Sequence, residues 1–95
     1  MSKRHVKITS DKGAVDVDGP TVSIVNRDEV IWHSFNDQEA KVTFKDSPFV
    51  AVEFVVPAGG SVCSGPSKAS AGEKPYKYDV KGPGGTTDPT IIIQK

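Results

Sequence analysis

The chain has 95 residues, 36% of them hydrophobic and 25% charged, which fits one soluble globular domain, residues 1–95, with a modest core and no room for a second. Twelve basic and twelve acidic residues cancel and are interspersed, so there is no Lys- and Arg-rich stripe of the kind that neutralises phosphates. Nucleic acid and a membrane surface are therefore not expected as partners.

Nine Gly and seven Pro point to many turns and short elements rather than long helices. Arg4 to Thr9 alternates, with Val6 and Ile8 on one side and His5, Lys7 and Thr9 on the other, before a turn at Asp11-Lys12-Gly13. Ala14 to Asp18 continues the alternation through Val15 and Val17, Gly19-Pro20 breaks it, and Thr21 to Val25 resumes it with Val22 and Ile24. After Asn26-Arg27-Asp28, Glu29 to Phe35 sets Val30, Trp32 and Ser34 against Ile31, His33 and Phe35. Trp32 is the expected centre of the core, because no other side chain buries as much apolar area, and its indole N–H then needs a partner.

Val42 and Phe44 alternate with Lys41, Thr43 and Lys45, and Asp46-Ser47-Pro48 interrupts the pattern. Val52, Phe54 and Val56 then share a face, and Pro57-Ala58-Gly59-Gly60 turns the chain into a short strand, Ser61 to Ser64, whose Val62 faces opposite Cys63. Gly65 to Lys74 reads as a surface loop and the most mobile segment. Tyr76, Tyr78 and Val80 alternate again, Lys81 to Pro89 reads as a Gly- and Thr-rich loop, and Thr90 to Ile93 forms a last β-branched run. About eight or nine short strands at turn spacings of roughly eight to twelve residues predict an all-β sandwich or barrel.

The order of several short segments resembles the cupredoxin family of Greek-key β-sandwiches, which carry a mononuclear blue copper site. Asp28-Glu29-Val30-Ile31-Trp32 is similar to the family's acidic turn and V-x-W, and Val42-Thr43-Phe44 to the strand after its first copper histidine. Val56-Pro57-Ala58-Gly59-Gly60-Ser61 is similar to the turn before the penultimate hairpin, and Tyr76-Lys77-Tyr78 to the aromatic pair before the copper cysteine. The resemblance implies a cupredoxin-like Greek-key fold. It also puts Ala40 and Pro83 at the two histidine positions, Val80 at the cysteine and Asp88 near the axial methionine. A type 1 copper site needs two imidazoles, a thiolate and a weak thioether, and Lys81 to Lys95 holds no His, Cys or Met. The family's copper cofactor and electron transfer are thus not expected here.

Three further places offer chemistry. Cys63 is the only cysteine, so no internal disulfide points to an oxidising compartment; with His33 or His5 it forms the one alternative metal site the composition allows. Gly82, Gly84, Gly85, Thr86, Thr87 and Asp88 form a candidate ligand loop in which backbone N–H groups would cradle an anion, although the spacing is not that of a phosphate loop. Turn geometry is the plainer account of these glycines. No nucleophile elbow or paired-carboxylate motif is visible, so an enzyme is not expected.

The favoured expectation is a binding or self-assembly module that meets a protein partner or its own copies through outer-face apolar residues such as Ile31, Phe35, Val55 and Ile92. The alternative is a copper or other metal handler built on Cys63 with His33 or His5. Met1 to Ser10 has no apolar segment behind its charges, so the expected compartment is the cytoplasm, or the periplasm or exterior if a signal peptide has been removed.

Overall fold

The computed structural model describes residues 3–95 as an all-β chain, with no helix among the described residues. The strands are β1 (Lys3–Lys7), β2 (Thr21–Ser23), β3 (Glu29–His33), β4 (Ala40–Phe44), β5 (Glu53–Val56), β6 (Ser61–Cys63), β7 (Pro75–Gly82), β8 (Gly85–Thr87) and β9 (Thr90–Gln94). They make two sheets. The smaller runs β1-β3-β6, and the larger runs β2-β9-β7-β4-β5 with β8 paired to β7. The β1–β3 and β2–β9 pairs are parallel and the rest antiparallel, because β1 and β3 are separated in sequence by a strand of the other sheet.

Period-2 alternation decides which side chains meet between the sheets. The small sheet contributes Val6, Val30 and Trp32, and the large sheet Val22, Ala40, Val42, Phe44, Phe54, Val56, Tyr76, Tyr78, Val80, Ile91 and Ile93, all of them buried. At the centre the Trp32 ring packs against four others, with centroid distances of 5.2 Å to Phe54, 5.7 Å to Tyr78, 6.3 Å to Phe44 and 6.5 Å to Phe49. The indole N–H finds its partner in the large sheet: Trp32 Nε1 donates to Tyr78 Oη at 3.2 Å. Burial pushes the Tyr78 phenol up to about 12, with the bond from Trp32 pulling weakly the other way.

The strand pattern departs from the sequence reading in four places. Ala14 to Asp18 makes no strand. Only the bridge Ile8–Val15 forms there, and Val17 is exposed, because Asp16 turns back to β1, its N–H donating to the Lys7 carbonyl and its carboxylate accepting from the Lys7 N–H. The supposed loop Lys81 to Pro89 is instead a hairpin in which β7 runs on to Gly82 and Gly85 returns opposite it through Pro83-Gly84. Val52 does not join Phe54 and Val56 inside. Pairing with β4 begins only at Glu53, and the bend before it exposes Val52. Phe49, which falls in the break after Asp46-Ser47-Pro48, is fully buried, its N–H held by the buried Ser47 hydroxyl and its backbone bridged to Ser67.

That bridge also anchors the segment Gly65 to Lys74. The Lys68 N–H donates to the Pro48 carbonyl, the Tyr76 hydroxyl both accepts from the Gly72 N–H and donates to its carbonyl, and Ala71 packs on the core. Between β3 and β4, which lie in different sheets, the chain reverses in a tight turn closed by the Phe35–Gln38 bridge, where Asn36 and Asp37 both take positive φ, 50° and 60°, the left-handed pair that polar Asn and Asp tolerate best. Among the described residues no helix is long and apolar enough to cross a membrane.

The Tyr78 hydroxyl yields two expectations. Tyr78→Phe strands the buried indole N–H and lowers unfolding free energy by about 1–3 kcal/mol in urea titration, against about 3–5 kcal/mol for Phe49→Ala, which opens a cavity. The phenol is raised from 10.0 to about 12 in the folded state, so its contribution is intact below pH 10 and disappears as pH rises through about 12. Tyrosinate absorbance should show this late ionisation, and Tyr78→Phe should remove it.

Candidate functional site

Three of the four positions that the resemblance puts at copper ligands lie near one another in the large sheet. Ala40 opens β4 and is buried, Val80 is buried in β7 beside β4, and Pro83 sits in the hairpin turn. A shallow groove runs between Gln38, Glu39, Ala40, Lys41, Val55 and the Lys81-Gly82-Pro83 segment. Asp88 lies elsewhere, exposed and 3.3 Å from Lys77. The groove offers amide, carboxylate and ammonium groups with no imidazole, thiol or thioether, so the donor set does not fit a type 1 copper ion.

The candidate ligand loop uses its backbone internally. Gly82 and Gly85 pair across the hairpin, the Gly84 N–H donates to the Asp11 carbonyl at 2.8 Å, and Thr87 Oγ1 donates to the Gly13 carbonyl at 2.6 Å. The glycines are there because the Asp11-Lys12-Gly13 turn packs directly on the hairpin. A Cβ on Gly82 would run into the Asp11 carbonyl, and one on Gly13 would run into the Val80 carbonyl. Gly13 additionally takes φ 84°, where side chains are strained. With these groups bonded to protein, the segment does not form an open anion nest.

The outer face of the small sheet gathers the remaining chemistry. Parallel pairing of His5 with Ile31 and Lys7 with His33 makes the two histidines diagonal neighbours, and His5 Nδ1 lies 2.9 Å from His33 Nε2. Their rings stack at 5.2 Å between centroids, 16° from parallel. Cys63 is on the same face, across β3 from Ile31, but it leans the other way and donates its thiol to Glu29 Oε1 at 2.8 Å. Glu29 also faces the Lys3 ammonium at 3.8 Å. Partial burial of the sulfur, and next the hydrogen bond to Glu29, push the Cys63 thiol up and so disfavour the thiolate that would bind metal or attack an electrophile. Among the described residues no three His, Cys, Asp or Glu side chains are arranged to hold one metal ion.

The residues expected to form an apolar patch are not together. Ile31 belongs to the small sheet, Phe35 packs on the core, and Val55 and Ile92 lie in strands of the large sheet separated by β4 and β7. The exposed large apolar side chains include Val25, 73% exposed after β2, and three in or just before β5: Val50 at 87%, Val52 at 55% and Val55 at 44%. Sequence reasoning missed Val50 and placed Val52 inside. No sequence signal marks the change: Val52 continues the alternation of Phe54 and Val56, and β5 starts only at Glu53.

Beneath the histidine face, Asp28 is buried next to Arg4, with its carboxylate 3.5 Å from Arg4 Nη2 and 3.1 Å from the Ser23 N–H. Arg4 Nε in turn donates to the Thr21 carbonyl, so this acid and arginine tie β1 to β2 and fix the entry to β3. Ser64 does the same at the other edge, its hydroxyl accepting from the Val30 N–H at 2.9 Å.

The Glu29–Cys63 contact predicts how the thiol reacts. Glu29→Gln removes a charge that opposes the thiolate, so alkylation of the folded protein near neutral pH should be faster than in the wild type, with its pH–rate profile moved to lower pH. An unchanged profile would show that the contact does not control the thiol.

No protein-family model matches this chain, and no curated protein sequence matches it.

Proposed function

We propose that this chain is a non-enzymatic, cupredoxin-like Greek-key domain without a type 1 copper site, acting as a protein-binding or self-assembly module. The family part of this reading is supported by the two-sheet arrangement with parallel β1–β3 pairing, and by the acidic turn and V-x-W segment, Asp28 to Trp32, whose acid and indole are both buried. The missing copper role is supported by the chemistry of the groove beside Ala40 and Pro83.

The observation that carries the module reading is the free edge of β5. It pairs only with β4, and Val50, Val52 and Val55 stand exposed in or just before it. The other edges are guarded. β1 carries Lys3, Arg4 and Lys7, and β2 and β6 are three residues long, β2 following Gly19-Pro20. Natural sheets protect their edges with charge, brevity or proline; β5 is four residues long and ends before Pro57, but its one charge, Glu53, is already paired with Lys41 on its neighbour and Val55 stands exposed on it. A second copy fits this edge. Antiparallel pairing of β5 with its symmetry mate continues the large sheet across a twofold axis and brings the valines of both copies together.

Sedimentation over a wide concentration range tests the reading. Reversible dimer formation is expected in the wild type and loss of it in Val52→Lys/Val55→Lys, with the fold unchanged by circular dichroism because both side chains are exposed. A chain that stays monomeric throughout would contradict self-assembly.

A further inference from the structure

We propose that the β5 edge takes a second copy of this chain in one register only, with Phe54 of each copy on the twofold axis and Glu53 of each bonded through its main chain to Val55 of the other. This rests on the assembly reading and adds to it the groups that make the joint and those that forbid a slipped one.

The free backbone groups of β5 follow from the phase of its ladder with β4. Opposite residues of an antiparallel pair alternate between exchanging both N–H···O bonds and exchanging none. Just ahead of β5 the Phe44 N–H donates to the Val52 carbonyl at 2.8 Å, and these two residues continue the register in which Val42 faces Phe54 and Ala40 faces Val56. Val52, Phe54 and Val56 therefore turn their main-chain groups to β4, while Glu53 and Val55 turn theirs to the open edge. The far side of β4 keeps the same phase: Tyr78, opposite Phe44, sends its N–H away from β4 to the Pro89 carbonyl. Among the described residues no other hydrogen bond takes the N–H or C=O of Glu53 or Val55.

Three symmetric registers set these free groups against those of a twofold mate, and their neighbours decide among them. With Glu53 opposite Glu53 of the second copy, two carboxylates face each other and Val55 has to meet Ala51, whose carbonyl already accepts from the Ser47 hydroxyl at 2.6 Å. With Val55 opposite Val55, Glu53 has to meet Pro57, which has no N–H and whose carbonyl already accepts from the Gly60 N–H at 3.0 Å. With Glu53 opposite Val55, the N–H and C=O of both residues are bonded in each copy, and each glutamate keeps its own Lys41 at 3.7 Å. This register leaves no free main-chain group on the edge, so the joint closes at two copies.

NMR of the wild-type chain at low and high concentration tests the register. The Glu53 and Val55 amides should exchange fast in the monomer and at least about tenfold more slowly once the dimer fills, with Phe54 and Val56, already bonded to β4, slow at both concentrations. The dimer should also show an amide-to-amide Overhauser contact between Glu53 and Val55, which are about 7 Å apart within one strand and adjacent only across the joint. Sedimentation of two variants gives a separate reading. Val55→Pro removes an N–H that β4 does not use, so the sheet should persist by circular dichroism while dimerisation weakens at least about tenfold, the loss of two net hydrogen bonds. Val55→Thr keeps the N–H and the β-branched shape and should dimerise as the wild type does. A chain that is monomeric at every concentration overturns the assembly reading and the register with it. A dimer that lacks the Glu53–Val55 contact, protects Ala51, or survives Val55→Pro leaves assembly standing and overturns the register.

Discussion

The hydrogen bond from Trp32 Nε1 to Tyr78 Oη joins the two sheets at their centre, and most of the remaining arrangement follows from it. A buried indole must satisfy its N–H, and in this core the Tyr78 hydroxyl of β7 accepts it. Seating Trp32 over Tyr78 fixes β3 across β7, and Phe44, Phe54 and Phe49 close around the pair with mostly edge-on contacts. Phe44 stacks on Tyr78 at 5.0 Å, so the acceptor ring is itself held in place. Once Val30 and Trp32 point inward, Glu29, Ile31 and His33 must point outward. The position of His33 beside His5 is therefore a consequence of core packing.

The opposite end of the molecule is governed by close approach of backbone to backbone. The Asp11-Lys12-Gly13 turn lies on the β7–β8 hairpin, with Gly84 and Thr87 bonded to it and room only for hydrogen at Gly13 and Gly82. In the cupredoxin-like reading this is the region where a metal loop would stand. Here its polar backbone groups are spent on the protein itself, and the nearby groove carries no soft or imidazole donor. The two histidines are on the other sheet, hydrogen-bonded to each other.

Much of the core was legible because alternation is a local property. Val6, Val22, Val30, Trp32, Val42, Phe44, Phe54, Val56, Tyr76, Tyr78 and Val80 all face inward as their spacing predicts. What failed depended on partners distant in sequence. Ala14 to Asp18 alternates as a strand does but pairs only at the Ile8–Val15 bridge, while Asp16 and Asp18 use their side chains on the Lys7 and Thr90 N–H groups. Phe49 lies in a segment without periodicity, and its burial depends on Ser47 nearby and on Ser67 across the fold. The exposed edge at β5 and the His5–His33 contact were not legible at all, because strand order and register between elements 28 residues apart are set by the whole core. The glycines after Lys81 were readable as backbone geometry, while the turn they accommodate lies some seventy residues earlier.

The central proposal is that this sandwich does not carry the cysteine–histidine copper chemistry of the family its sequence resembles and acts through its surfaces instead. Visible absorption of the reduced wild-type protein with one equivalent of copper(II) tests it most directly. The account predicts no intense thiolate-to-copper charge-transfer band, because Cys63 is held by Glu29 away from both histidines. A strong blue band, lost in Cys63→Ser, would contradict it and place a cysteine–histidine copper site on this fold.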